Sequence, residues 1–213
     1  MTPTRHLLFG MLLTAAAGFL DSIGFIELGG YYVSFMSGNT TQGGTALVEG
    51  HVSVVLLSLA LVALFFVGAL VANLLALVDL RWGQVYASAA VMLGVATTLV
   101  LTLAGLPPSQ TMLVLAATAG AQNAVLAAKG SVRLGATFVT GTLYTAAQDL
   151  AFALRGRAPF GRWLQHMLIW LSLLAGAAFG ALAYGTLDIF ALVMPLVVYG
   201  AFTIGHVVAA PRP

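Results

Sequence analysis

A few polar side chains recur at matching places inside long apolar surroundings, and their groups could hold a solute or an ion. Asp21 and Ser22 come first. Ser37, Gly38, Asn39 and Thr40 follow, in the phrase Phe35-Met36-Ser37-Gly38-Asn39-Thr40. Later in the chain, Gln122 and Asn123 stand a similar distance before Thr140, Gly141 and Thr142, in the phrase Phe138-Val139-Thr140-Gly141-Thr142-Leu143. One carboxyl, several hydroxyls and several amides can donate and accept hydrogen bonds, neutralise a cation, or carry a proton on Asp21. They do not make a nucleophile with its base. No HExxH pair, GxSxG elbow or Walker loop occurs. The expected protein is therefore not an enzyme and needs no cofactor or metal. The absence of cysteine excludes disulfides, thiolate catalysis and Cys-based metal sites.

The elements that position these groups follow from composition. The 213 residues are 61% hydrophobic and 7% charged, with a mean hydropathy of +1.03. A soluble domain carries roughly 25% charged residues. So little polar surface requires lipid as a partner. A formal charge of +2, spread along the chain, gives no argument for nucleic acid. Arg5, the apolar run after it and Ala15-Ala16-Ala17 resemble a signal peptide. The apolar character continues to Leu28, however, so the segment reads as a retained first helix. The whole chain, 1–213, reads as a single transmembrane domain.

Apolar stretches over about 6–28, 53–79, 84–106, 110–128, 163–185 and 187–209 are each close to the roughly 20 residues that cross a bilayer as a helix. Segments 31–48 and 134–154 are more polar and contain the two phrases. Charge favours six crossings with these two segments re-entrant. All eight Lys and Arg residues then fall on the cytoplasmic side with both termini, and Glu49 and His51 lie outside. Two full crossings would instead move Arg81, Lys129 and Arg133 outside. Three crossings per half invert the second half relative to the first, a recurring transporter plan. The repeats run approximately over 6–106 and 108–209, and Gly68-Ala69 matches Gly176-Ala177. A rival geometry has eight crossings, in which strand-like Tyr31–Phe35 and Thr137-Phe138-Val139 each precede a half helix.

Both geometries place helix N-termini in mid-membrane. Ser37 and Thr140 are suited to N-capping, and Gly38 and Gly141 allow close approach or unusual dihedrals. Amides freed at such breaks must be satisfied by protein or water. Asp21 is then expected to face the Ser37-Gly38-Asn39 break, and Gln122-Asn123 to face Thr140-Gly141-Thr142. A carboxyl in a membrane core normally faces a bundle interior. Asp21 could bind a proton, a cation or a solute, or it could simply satisfy freed amides. Gln122 and Asn123 are better explained by cross-linking helices.

The remaining polar residues have plainer readings. Thr40, Thr41 and Gln42 could line a path. Asp149 reads as a surface residue, and Asn73 as a helix–helix hydrogen bond. His166 and His206 have no partner at ligand spacing. Gly176 and Gly180 form a small-xxx-small face, suited to close helix packing or to a homo-oligomer. Trp82, Trp163, Tyr31, Tyr32 and Tyr86 read as interfacial anchors.

Gly18-Phe19-Leu20-Asp21-Ser22-Ile23-Gly24-Phe25, with Val33-Ser34-Phe35-Met36-Ser37-Gly38-Asn39-Thr40-Thr41, resembles the signature of the YoaK (DUF1275 or UPF0700) family. Ala119-Gly120-Ala121-Gln122-Asn123-Ala124 and Thr137–Leu143 resemble its second signature. Ser37 departs from the Thr common there but keeps the hydroxyl. The resemblance spans nearly the whole chain and implies a polytopic protein of the bacterial inner membrane, without naming a substrate. The expectation is an all-α polytopic membrane protein of two inverted three-helix repeats. It would act as a transporter or channel-like permease for a small polar or ionic solute. The alternative is a non-transporting scaffold or accessory subunit.

Overall fold

Runs of Leu, Val and Ala without an internal charge leave the backbone little alternative to helix in an apolar medium, where every amide must be satisfied locally. The structure, a computed structural model, describes residues 3–79, 81–126 and 137–210. Lys129, Arg133 and Arg212, placed on the cytoplasmic side from sequence, lie outside these. The helices are α1 (Thr4–Glu27), α2 (Met36–Glu49), α3 (Val52–Val78), α4 (Gly83–Leu103), α5 (Pro108–Ala121), α6 (Val139–Leu154), α7 (Arg162–Leu187) and α8 (Val193–Ala209). Short 3-10 turns follow α5 at Gln122–Ala124 and α7 at Asp188–Leu192. No strand occurs among the described residues, so Tyr31–Phe35 is irregular chain rather than the strand of the rival geometry.

Three helices, α1, α3 and α4, are each long and apolar enough to cross a membrane, and so is the run Arg162–Ala209. At 48 residues, that run would extend about 72 Å if straight, more than twice the roughly 30 Å hydrocarbon core. It folds instead at Asp188, whose φ of 52° breaks the helix. The return of α8 brings Phe202 onto Phe9 of α1, with ring centroids 5.6 Å apart. The start of α1 and the end of α8 therefore share one side. Leu126, just past α5, packs with Leu7 and Met11 at the start of α1, so α5 runs opposite to α1.

The long helices are stitched at small residues. A Cβ added to Gly18 would lie 2.3 Å from the Leu173 carbonyl oxygen, and one on Gly176 would lie 2.0 Å from that of Ala15. The same pattern joins α3 to α5. A Cβ on Gly120 would lie 2.0 Å from the Phe65 oxygen, and one on Gly68 would lie 1.8 Å from that of Ala117. In each seam two glycines thus sit against carbonyl oxygens of the facing helix. Gly176 and Gly180 both pack on α1, which makes this small-residue face an intramolecular seam. Burial follows from the stitching. In the most apolar 18-residue stretch of each helix, α1 is 61% buried and α3 only 11%, as expected of an inner helix and one facing lipid.

Candidate solute site

The site begins where α1 ends. Gly29 and Gly30 take positive φ values of 63° and 116°, and the chain turns back along α1. Val33 seats against Gly24, where a Cβ would lie 2.6 Å from the valine Cγ1. Asp21 Oδ1 accepts the amides of Val33 at 2.9 Å and Ser34 at 2.6 Å. Its Oδ2 accepts the Ser34 hydroxyl. The chain then reverses into α2. Asn39 grips the descending strand of chain from the other side. Its Oδ1 accepts the Tyr32 amide at 3.0 Å, and its Nδ2 donates to the Tyr32 carbonyl at 2.6 Å. One turn on, Gln42 Nε2 donates to the Gly30 carbonyl at 2.9 Å. The segment thus dips about two turns down α1 and climbs back to the level of its end.

The second phrase is held in a related way. Asn123 Oδ1 accepts the Thr137 amide at 3.3 Å and its hydroxyl at 3.2 Å. Asn123 and Thr137 stand where Asp21 and Ser34 stand in the first half, with an amide replacing the carboxylate. Gln122 does something else: it is buried and accepts the Tyr199 hydroxyl.

Several expectations are corrected here. Ser37 and Thr140 are not N-caps. Phe35 and Phe138 occupy those positions, neither helix has a side-chain cap, and both hydroxyl residues lie one place inside the helix. The first-turn amides of Gly38 and Asn39 reach the Phe35 carbonyl, and that of Thr142 reaches Phe138. Asp21 faces Val33 and Ser34 rather than the Ser37-Gly38-Asn39 break, and Asn123 faces Thr137 rather than Thr140–Thr142. The cause is the same in both halves: the non-helical approach, not the helix start, carries the amides that need partners. Gly38 adopts no positive φ. Its missing side chain makes room for the rings of Phe35 and Tyr32, which lie 2.6 and 3.1 Å from where a Cβ would be. Thr40 is exposed and bonds back to Met36, and Asn73 bonds back to Ala69 on its own helix. Thr142 is buried on Phe138, whereas Gly141 has open space beside it.

Of the residues singled out in the sequence, Asp21, Ser22 and Thr140 come together around one cavity of about 450 Å³. Its walls are the α1 face from Gly18 to Ile26, the loop residues Tyr32, Ser34 and Phe35, the opening of α6 at Thr137–Leu143, and α7 at Trp170, Leu173 and Ala177. Both phrases reach it, through Phe35 and Thr140. Ser37, Gly38, Asn39, Thr40, Gln122, Asn123, Gly141 and Thr142 are not part of this lining, whereas Tyr32 is. Trp170 was missed by sequence reading, because an aromatic in an apolar helix carries no distinguishing mark.

A second polar group was also missed. Asp149 is buried, 3.0 Å from Arg162 Nε and 3.4 Å from His166 Nε2. The expected surface carboxylate and partnerless histidine instead form one cluster joining α6 to α7. At the far end of α7, the Tyr184 hydroxyl donates to Glu27 Oε1 at 2.6 Å and fastens the tips of α1 and α7.

Comparison with known proteins gives a family match and one similar protein. The family model described as "Protein of unknown function (DUF1275)" matches residues 9–205. The chain is 30% identical over 201 residues to the UPF0700 transmembrane protein RA0705 of Rhizobium meliloti (strain 1021), covering 81% of this chain and 75% of that one. No solved structure matches.

Proposed function

We propose, from the premise that the chain belongs to the DUF1275 family and is a multi-pass membrane protein, that it is a permease for a small polar or ionic solute. The observation that carries this reading is the cavity of about 450 Å³ bounded by Asp21 and by the openings of both broken segments. Pockets of that size hold small organic molecules. Irregular backbone at membrane depth is tolerated where it is packed in protein or lines such a cavity. On this reading the protein is not an enzyme, and its partners are the lipid bilayer and the transported solute.

The same proposal includes the topology. The matched seams of α1 with α7 and of α5 with α3, together with the opposed directions of α1 and α5, support two inverted halves. Each half contributes three crossings and one re-entrant segment. Arg5, Arg81, Arg155, Arg157 and Arg162 then lie on one side, which the positive-inside rule makes cytoplasmic in a bacterial inner membrane. Both termini lie on that side too.

A second reading, a non-transporting scaffold or accessory subunit, draws support from one observation. Both Asp21 oxygens are already bonded to the Val33–Ser34 backbone and hydroxyl, which by itself accounts for a membrane carboxylate. Single cysteines separate the two, because the native chain has none. Thr140→Cys and Phe25→Cys in sealed vesicles should react with a small membrane-impermeant maleimide, and added solute should protect them. Failure of both positions to react from either side rejects the permease. Glu49→Cys should label from outside and Arg157→Cys only from inside. Inside labelling at 49 rejects the topology.

A further inference from the structure

We propose that the cavity selects a small organic cation: an ammonium group held at Asp21, on an apolar or aromatic body held by rings. The inference rests on the permease reading and names the class of its solute. Among the described lining residues Asp21 carries the only formal charge, and no Lys, Arg or His joins it. An anion would meet that carboxylate with nothing to offset it but the opening turns of α2 and α6. Each carries about half an elementary charge at most, and the amides of Gly38, Asn39 and Thr142 are already bonded to Phe35 and Phe138. A bare metal cation fits poorly as well. Hard cations want six or so oxygens. The Asp21 oxygens already accept three donors, and Ser22 Oγ donates to Phe19 at 2.8 Å.

Four aromatic rings share the wall with Asp21. Phe25 and Tyr32 have centroids 5.2 Å apart, and Tyr32 and Phe35 5.3 Å apart. This makes a continuous ladder of three rings beside the carboxylate, and Trp170 of α7 adds a fourth. Ring faces attract cations and also cover an apolar body. A carboxylate beside four rings, in a space of about 450 Å³ that suits a small organic molecule, discriminates by both charge and shape.

The test uses the full chain in detergent at pH 7 with three probes of one shape: 2-phenylethylamine, 2-phenylethanol and phenylacetate. Binding is read by thermal stabilisation and by quenching of tryptophan fluorescence. The amine should bind at least tenfold more tightly than the alcohol, and the acid should not bind. Asp21→Asn should remove that tenfold preference. Trp170→Leu, which leaves the Asp21 clamp untouched, should weaken the amine severalfold without changing the preference for charge, so the proposal is still tested if the first variant does not fold. An alcohol bound as tightly as the amine, a preferred acid, no binding by any probe, or an amine affinity unmoved by Trp170→Leu overturns the proposal. Proteoliposome uptake separates this from the reading beneath it. Uptake of the acid or alcohol instead of the amine keeps the permease and rejects the cation. Selective amine binding without uptake of any probe rejects the permease and keeps the cation site.

Discussion

Replacing Asn39 by alanine tests whether the first phrase binds solute or builds the wall. Asn39 is completely buried, and its amide makes two bonds to the Tyr32 backbone, at 3.0 and 2.6 Å. Alanine removes both and leaves a backbone donor and acceptor in poor contact with water. Each lost bond costs about 1 kcal/mol net, and more where a group is stranded. Tyr32 is half-buried, so some solvent relief is expected, and the total is about 2–3 kcal/mol. At about 2–4 °C per kcal/mol for a chain of this size, the melting temperature in detergent should fall by roughly 4–12 °C. Thr40→Ala is the control. That residue is exposed, and its hydroxyl bonds only to Met36 on its own helix, at 2.8 Å. Its effect should stay within about 0.5 kcal/mol. At a temperature where both variants are folded, each should keep the solute protection of a cysteine at Thr140. Parental stability in Asn39→Ala, or an intact fold that has lost solute protection, refutes the assignment of Asn39 to the frame.

Further outcomes follow from the packing. Gly44→Ala should raise stability by about 0.5–1 kcal/mol, since nothing lies within 4 Å of its would-be Cβ and alanine favours helix. Gly43→Ala, whose Cβ would sit 2.9 Å from Ser58 Cβ, should lower it; equal melting shifts in the two would contradict the α2–α3 interface. Gly18→Val and Gly120→Val should be comparably harmful, each by about 2 kcal/mol or more, as equivalent seams require. Asp149→Ala should cost about 1–3 kcal/mol, below the range for a fully buried pair because the Arg162 side chain is 38% exposed; chemical denaturation of the folded variant measures this. Tyr199→Phe should cost about 1–3 kcal/mol by leaving buried Gln122 Oε1 without its donor, read as a lower melting temperature.

Which of these features could be read from the chain depends on how local their cause is. The apolar stretches, the helix breaks near Ser37 and Thr140, and the match of Gly68 with Gly176 all lie on the sequence itself. The capping role given to Ser37 and Thr140 failed because each lies one place inside its helix, while Asp21 of α1 and Asn123 after α5 take the amides of the non-helical approach. Nothing along the chain says that α1 runs beside that loop. Asp149, Arg162 and His166 sit on two elements, and only the docking of α6 on α7 brings them together. Each was nonetheless a polar residue in apolar company, and treating them jointly was the available clue. The cavity's rings gave no clue at all, since Trp170 and Phe25 look like any lipid-facing aromatics until α6 and α7 close around them.

The bond from Tyr184 to Glu27 spans 157 residues of chain, and the whole seam between α1 and α7 is comparably remote in sequence. At roughly 5–20 residues per second of synthesis, α1 would wait on the order of 10–30 s for its mate to leave the ribosome. During that time the α1 face at Gly18 would lie bare in the bilayer or against the insertion machinery, although Asp21 is within reach of Val33 and Ser34 as soon as these follow. The first half therefore cannot mature alone. Birth of the protein is a late closure, in which roughly the last quarter of the translation product, from Arg162 on, locks the first helix into place.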